Sequence, residues 1–236
     1  EEGYPAYLSS RLADFYERAG LVEVMGSDGV EGAVSVIGAV SPPGGDTSEP
    51  VSQATLRIVK VFWGLSSTLA HRRHFPAIDW LRSYSLYERQ VSDYFDNQVN
   101  SDWSNKVKTF RALLQEEAAL EEIVRLVGVD SLSFEDRTKL ITAQMIREDF
   151  LHQNAFDDVD TYTSTNKQCY MMRTIIDWYE GALQGLKNGV SFKDVENSQA
   201  RALIGRFKYV LEDDVLKEYN EISNLINEEF DIRSED

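Results

Sequence analysis

The sequence predicts an α/β segment followed by an all-α bundle, and the distribution of turn residues and charges along the chain indicates this division. All five prolines precede residue 77, and 9 of the 14 glycines precede residue 86. Residues 1–85 carry 7 basic and 10 acidic side chains, whereas residues 86–236 carry 17 basic and 30 acidic ones. A turn-rich segment followed by a proline-free, charge-rich one is typical of an α/β domain followed by helices alone. We therefore expect two domains, 1–85 and 86–236.

Three elements are predicted in the first segment. Residues 7–19 have one apolar face and end at Gly20, a pattern that predicts a helix. The short apolar run 34–40 has the length and Val/Ile content of a buried strand. Residues 52–72 predict a long helix. This set is only part of a wound α/β domain, because a parallel sheet normally has both faces covered.

The second segment is predicted to be a series of helices. Apolar residues recur at a spacing near 3.6 over four stretches, namely 104–127, 134–151, 167–186 and 210–230. Short polar connections join these stretches. The pattern predicts an antiparallel helical bundle.

Composition argues against several classes of function. The net charge of −16 argues against nonspecific nucleic-acid binding, which depends on basic side chains that neutralise phosphates. No run of 18 apolar residues occurs, so no membrane insertion is expected, and no signal-peptide pattern is visible. The single cysteine, Cys169, forms no intramolecular disulfide and is expected to be a small buried apolar residue. Because the chain begins with Glu1 rather than Met, a missing N-terminal part is expected.

Chemistry read from the residues alone completes no active site. The sequence lacks G-x-x-x-x-G-K-[ST], G-x-G-x-x-G, G-x-S-x-G and H-E-x-x-H. Three histidines and one cysteine give no metal-ligand cluster, so no metal site is predicted.

Two stretches in the first segment still have unusual composition. The loop 41–50 (SPPGGDTSEP) follows the predicted strand, and its prolines and glycines permit a stiff, tight turn that is either a ligand or partner loop or a plain surface loop. Arg18 ends the first predicted helix. Its guanidinium either complements the helix dipole or is directed at a phosphate.

Two further sets of residues lie in or beside the second segment. Phe75, Phe150 and Phe156 lie beside breaks in structure, where aromatic rings either stack on a base or pack in the core. Residues 127–136 (VGVDSLSFED) form an acidic helix–turn–helix in which Ser133 is a good N-cap. The carboxylates there either cap a helix or form a docking tip for a basic partner.

These four stretches occur in the order found in the catalytic A subunits of archaeal-type (A/V-type) rotary ATP synthases. Residues 3–20 (GYPAYLSSRLADFYERAG) resemble the segment downstream of that family's Walker B strand. Residues 37–51 (IGAVSPPGGDTSEPV), 61–65 (VFWGL), 72–87 (RRHFPAIDWLRSYSLY) and 149–156 (DFLHQNAF) resemble the A-subunit signature. The resemblance covers essentially the whole chain. It implies the C-terminal part of a RecA-like P-loop nucleotide-binding domain, followed by a helical bundle.

The resemblance implies roles for individual residues. Arg18 matches the arginine near the terminal phosphates, and Phe75, Phe150 and Phe156 match the aromatic positions around the adenine. The residues implied to contact the rotating central stalk are Gly44, Gly45 and Asp46 in the loop, and Asp130, Glu135 and Asp136 at the acidic tip. The tip has fewer carboxylates than its F-type counterpart, with Ser131 and Phe134 at two acidic positions, which argues against purely electrostatic pushing.

The resemblance also implies what surrounds this chain. ATP or ADP with Mg²⁺ would bind the full subunit, whose phosphate-binding loop, Walker B aspartate and catalytic glutamate lie upstream of Glu1. B subunits in an alternating A3B3 hexamer would supply the arginine finger, and the complex would lie peripherally on the cytoplasmic face of the membrane. The chain by itself is therefore expected to be inactive and to bind ATP weakly or not at all.

Two other interpretations compete with this one. The chain could be a stand-alone helical interaction module with an α/β remnant, which an upstream G-x-x-x-x-G-K-[ST] in the same gene would reject. It could also be a noncatalytic B-type subunit. The Pro-Pro-Gly-Gly-Asp and Tyr-Glu-Arg-Ala-Gly stretches argue against that second alternative.

Overall fold

A computed structural model of the chain describes residues 3–26 and 28–230, so Glu1, where the sequence begins, lies outside it. The chain divides into two compact units. The first runs to Trp63 and includes Ser83–Tyr87, and the second comprises Gly64–Arg82 and the chain from Glu88 onward. The domain boundary at residue 85 stays a prediction.

The first unit holds two helices and a β-hairpin. Helix α1 (Leu8–Tyr16) and helix α2 (Pro50–Ile58) pack against each other. The Glu49 carboxylate accepts hydrogen bonds from the amides at the start of α2, and Pro50 takes the first helical position, where its missing N–H costs nothing. Strands β1 (Gly20–Glu23) and β2 (Glu31–Val34) pair antiparallel.

A second two-stranded sheet pairs β3 (Val61–Leu65) with β4 (Ile78–Ser85). Within the first unit, the Leu86 amide donates to the Lys60 carbonyl at 2.8 Å, and within the second unit, the Ser66 amide donates to the Ala77 carbonyl at 2.9 Å. Helix α3 (Ser67–His71) follows β3, and the Ser66 hydroxyl caps it.

Two predicted elements of the first segment are wrong. The run 34–40 is not a buried strand: β2 ends at Val34, and Ile37 is exposed, because among the described residues no strand pairs with the chain past the hairpin. The 52–72 stretch is not one helix, because α2 ends at Ile58. The β-branched and aromatic residues Val61, Phe62 and Trp63 form strand β3 instead, as their intrinsic preference favours. The first predicted helix is confirmed but ends at Tyr16, and Gly20 begins β1.

The second unit contains the bundle. Its main helices are α4 (Glu88–Gln98), α5 (Trp103–Val127), α6 (Phe134–Met145), α7 (Thr165–Lys187), α8 (Phe192–Glu196), α9 (Gln199–Ile204) and α10 (Val215–Glu229). Helix α6 continues as a π-helical turn, Ile146–Leu151. Helix α7 packs against α5, α6, α9 and α10, and Trp178 is completely buried at the centre of this core.

The predicted helices of the second segment are confirmed, with two changes. The last one begins at Val215 rather than at residue 210, because two 3-10 turns precede it, and α4, α8 and α9 were not predicted. Apolar residues of these stretches are buried at Met171, Ile175, Trp178, Tyr219, Ile222 and Ile226. Cys169 is buried, as expected of a small apolar residue.

Candidate functional site

The chain just past the π-helical turn lies beside Phe75. The Gln153 amide donates to the Phe75 carbonyl at 2.7 Å, which fixes residues 152–161, called here the 152–161 loop, next to the segment before Pro76. Both belong to the second unit. The structure therefore brings Phe75 into contact with the loop that carries Phe156, although the two residues are far apart in sequence.

The three predicted aromatic residues have different surroundings. Phe156 is 98% exposed and Phe75 is 51% exposed. Phe150 is half-buried and packs edge-on against Phe110 of α5, with the ring centroids 5.2 Å apart. The rings of Phe75 and Phe156 are therefore exposed enough to contact a flat ligand, whereas the Phe150 ring packs against the helical core.

Side-chain hydrogen bonds hold the 152–161 loop in one shape. The buried Asp160 carboxylate accepts from the Asn154 amide at 2.6 Å, and the Gln153 Nε2 donates to the carbonyls of Asp160 and Thr161 at 2.8 and 3.2 Å. The Asp157 carboxylate accepts from two further amides of the loop, which lowers the pKa of that carboxyl. The loop is thus ordered by its own polar groups.

A cluster of two histidines and one lysine, namely His74, His152 and Lys208, lies at the start of this loop. The His74 and His152 rings are 5.4 Å apart, and the Lys208 ammonium donates to the Glu148 and His152 carbonyls at 3.0 and 3.3 Å. Burial, and then the neighbouring His152, lower the pKa of His74. Sequence reasoning missed this cluster, although His74 and His152 both lie inside the stretches that carry the family resemblance.

Arg18 lies just past α1 in the first unit. Its amide donates to the Phe15 carbonyl at 3.3 Å, and its side chain is exposed. Among the described residues it makes no ion pair. Its guanidinium is therefore available to an anionic ligand.

The glycine loop is a tight turn in the first unit. Gly44 and Gly45 have φ angles of 65° and 76°, which lie in the left-handed region that favours glycine. The Asp46 carboxylate accepts from the Ser48 amide at 2.9 Å, and these hydrogen bonds lower the pKa of Asp46. The turn is exposed and carries its carboxylate in the ionised form.

The acidic tip joins α5 to α6. Ser133 caps α6 by accepting from the Asp136 amide at 3.1 Å, which confirms the predicted N-cap. Asp130 is almost fully exposed and pairs with Arg137 at 3.0 Å. Lys139 lies within 4.0 Å of carboxylate oxygens of both Glu135 and Asp136. Each of the three predicted tip carboxylates therefore has a basic partner in the chain.

An aromatic pair lies beside these charges. The Phe134 and Phe192 rings stack 5.0 Å apart, and the Arg137 guanidinium lies over both rings at 5.9 and 5.6 Å. Phe134 is exposed. The tip thus presents an aromatic surface as well as carboxylates, a feature that the charge pattern alone did not indicate.

The described residues also lack two kinds of feature. Among residues 3–26 and 28–230, no group of three or more His, Cys, Asp or Glu side chains could hold a metal ion. No helix in the same part of the chain is long and apolar enough to cross a membrane.

Two protein-family models match the chain in sequence order. Residues 1–85 match the nucleotide-binding domain of the ATP synthase alpha/beta family, and residues 92–195 match the C-terminal domain of V and A type ATP synthase. The matches correspond to the predicted fold class, an α/β part followed by an all-α part, which is confirmed.

Individual relatives extend these matches over nearly the whole chain. The V-type ATP synthase alpha chain of Acetivibrio thermocellus is 58% identical over 98% of this chain, and that of Clostridium botulinum (strain Okra) is 57% identical over 97%. The chain spans 39% of the length of each of these relatives. The solved structure of the ATP synthase subunit NeqB from Nanoarcheaum equitans matches with a TM-score of 0.63 and 27% identity, over 76% of this chain and 41% of that one.

Proposed function

Because the chain belongs to the family of V-type ATP synthase alpha chains, we propose that it forms part of the ATP-binding catalytic subunit of a rotary ATP synthase. In the assembled enzyme this part contributes the adenine side of the nucleotide site and the helical lever that couples ATP chemistry to rotation. The enzyme translocates protons or sodium ions. Catalysis belongs to the complete subunit in its complex, and the 236-residue chain alone is inactive.

The pair of exposed rings at Phe75 and Phe156 is the observation that supports nucleotide binding most directly. An exposed aromatic ring on an ordered loop is suited to stack on a base, because every base offers a flat π-face. The Gln153–Phe75 hydrogen bond at 2.7 Å keeps the two ring-bearing segments together. In this proposal Phe150 supports the adenine pocket from the core side.

Phosphate binding is assigned mainly to the rest of the subunit. The chain has no G-x-x-x-x-G-K-[ST] motif, and its described residues contain no group of three or more His, Cys, Asp or Glu side chains that could hold a metal ion. Arg18 is the one phosphate-side group that we assign here, because its exposed guanidinium fork suits a phosphate. ATP or ADP with Mg²⁺ would supply the reactive phosphates and their charge-neutralising cation.

The central stalk is the partner proposed for the two tips. We assign Gly44, Gly45 and Asp46 to one contact, and Asp130, Glu135 and Asp136 to the other. Because basic side chains of the chain itself pair with the latter three carboxylates, the contact depends on shape and on the aromatic surface as well as on charge.

The neighbouring subunits in this proposal are B subunits in an alternating A3B3 hexamer. They lie in the peripheral sector at the cytoplasmic face of the membrane. Closure of the helical part over the nucleotide would be a hinge-type motion near residues 84–100.

The exposed apolar residues of the first unit fit a larger subunit. Leu21, Val22, Met25 and Ile37 are all exposed, and apolar surface of this extent usually marks an interface. The matched V-type alpha chains are about two and a half times as long as this chain. We propose that the remainder of the subunit covers these residues.

The test of nucleotide binding uses the complete subunit in its assembled complex. Phe156→Ala and Phe75→Ala are each expected to raise the KM for ATP about tenfold, because each removes one stacking face from the base. Tyr162→Ala is the matched control, since this ring is also highly exposed but lies outside the 152–161 loop. Unchanged KM values in both Phe variants would contradict the adenine assignment.

The test of coupling neutralises the acidic tip in the same complex. The triple variant Asp130→Asn, Glu135→Gln and Asp136→Asn is expected to lower the torque of ATP-driven rotation, whereas Glu221→Gln on the exposed face of α10 leaves it unchanged. Equal torque in the triple variant and the wild type would remove the tip carboxylates from the coupling mechanism.

A further inference from the structure

The 152–161 loop displays a nearly fully exposed phenylalanine on a backbone that is held in place throughout. The Phe156 amide donates to the Asn154 side-chain oxygen at 3.1 Å, while Asn154 is itself held by the Asp160 carboxylate. Exposing an apolar ring to water on an ordered loop does not stabilise the fold. A ligand that stacks on the ring binds more tightly when the ring is already held in position. The order of this loop therefore points to a binding role.

Asp160 is the central residue of this arrangement. It is 3% exposed, and its carboxylate accepts a short hydrogen bond from the Asn154 amide at 2.6 Å. Gln153 closes the loop from the other side, because its side chain bonds the carbonyls of Asp160 and Thr161. The backbone of the same Gln153 bonds Phe75. One connected set of hydrogen bonds thus runs from Phe75 through Gln153 and Asp160 to Asn154 and Phe156.

We propose that Asp160 and Gln153 are positioning residues that fix the separation of the Phe75 and Phe156 rings, and thereby set the affinity and the base selectivity of the nucleotide site. Neither side chain contacts the nucleotide in this proposal. It rests on the proposed function, because it requires that a purine base stacks between or against these rings. Stacking alone favours no particular base. Rings held in one position also fix where the edge of a stacked base lies, and only that edge distinguishes adenine from guanine.

The experiment compares variants of the complete subunit in the assembled complex, with ATP and GTP as substrates. Asp160→Ala removes the acceptor of the Asn154 amide and is expected to raise the KM for ATP about fivefold, because the nucleotide must then order the loop that this bond holds in place. The kcat stays within about twofold, and the preference for ATP over GTP decreases. Asp160→Asn retains an acceptor oxygen and is expected to restore the wild-type KM and base preference.

Two further variants make the test independent of folding effects. Asp158→Ala removes an exposed carboxylate from the same loop and serves as the matched control. Gln153→Leu keeps the side-chain volume and the backbone bond to Phe75 but removes the two side-chain bonds. It is expected to change KM and base preference in the same direction as Asp160→Ala, and it replaces that variant if the latter does not assemble.

The outcomes separate this inference from the proposed function. Raised KM and reduced base preference in Asp160→Ala and Gln153→Leu, with recovery in Asp160→Asn, support the positioning role. Lower thermal stability with unchanged KM and unchanged base preference overturns it and leaves a structural role only. A wild-type complex that neither binds nor hydrolyses ATP contradicts the proposed function itself.

Discussion

The two compact units bury their side chains to very different extents. Of the described residues in the first unit, only Ser52, Ala54 and Thr55 are buried, and the apolar side chains of its hairpin face solvent. The second unit contains a continuous core from Phe110 to Phe230 with Trp178 at its centre. The same chain thus combines a self-sufficient bundle with a segment whose apolar surface has no cover of its own.

The difference follows from how helices and strands satisfy their backbones. A helix makes its hydrogen bonds internally and needs only one apolar face covered, so a few helices complete a core. A strand needs neighbours on both edges and cover on its faces, and a pair of strands alone is only marginally stable. The first unit has only such pairs among its described residues.

The largest expected effect is the loss of the central tryptophan of the bundle. Trp178→Ala removes a completely buried ring and its hydrogen bond from Nε1 to the Ser198 hydroxyl, at 2.9 Å. We expect the free energy of unfolding to fall by about 3–5 kcal/mol. Urea denaturation followed by far-UV circular dichroism measures this, because most of the helix lies in the second unit.

Trp63→Ala is the matched change in the first unit, where the ring is 59% exposed. We expect it to lower the free energy of unfolding by less than about 1 kcal/mol, as for most exposed positions. Equal losses in the two variants would contradict the proposed contrast between the units.

The same contrast explains which parts of the fold could be predicted from sequence. Residues 104–127 and 167–186 were assigned correctly because the spacing of their apolar residues reflects packing inside this chain. The prediction for residues 34–40 is wrong because apolar residues there imply a buried strand, whereas Ile37 is exposed. The spacing of apolar residues therefore predicts structure correctly where the side chains that bury them belong to this chain, and it misleads where they do not.

The candidate site divides in a similar way. The resemblance identified Phe75 and Phe156 as individual positions, but the bond from the Gln153 amide to the Phe75 carbonyl joins segments that are distant in sequence. Nothing in local composition indicates such a contact. The role of Asp160 also could not be predicted from sequence. In an acidic loop, a buried aspartate has the same sequence pattern as a solvent-exposed one, and only the structure shows that Asp160 is buried.

In the bundle, burial destabilises the charged form of one side chain, the Asp149 carboxylate. Burial raises the pKa of Asp149 to about 6, from an unfolded value of 3.8. Between these values the folded state binds more protons than the unfolded state, so the contribution of Asp149 to stability falls as pH rises from about 4 to about 6. Above that window the folded chain holds a partly desolvated carboxylate.

Asp149→Asn removes this cost. We expect the variant to be more stable than the wild type by about 1–2 kcal/mol at pH 7.5, after allowance for partial exposure, and nearly equal to it at about pH 4. Urea denaturation at both pH values measures the difference. Asp14→Asn, at an exposed position of the first unit, is the charge-matched control and is expected to have little effect at either pH. A pH-independent gain in Asp149→Asn would show that charge burial is not its cause.

The last comparison is between one helix cap in each unit. Ser133→Ala removes the hydroxyl that accepts the Asp136 amide at the start of α6, and we expect a loss of about 1 kcal/mol in the unfolding of the bundle. Ser133→Asp supplies another cap acceptor and should recover most of this loss. In the first unit, Glu49→Ala removes the cap of α2 but should leave the midpoint of the bundle transition unchanged, because α2 contributes nothing to the bundle core. A shift of that midpoint in Glu49→Ala would mean that the two units unfold together, and the difference in burial would then not translate into independent stability.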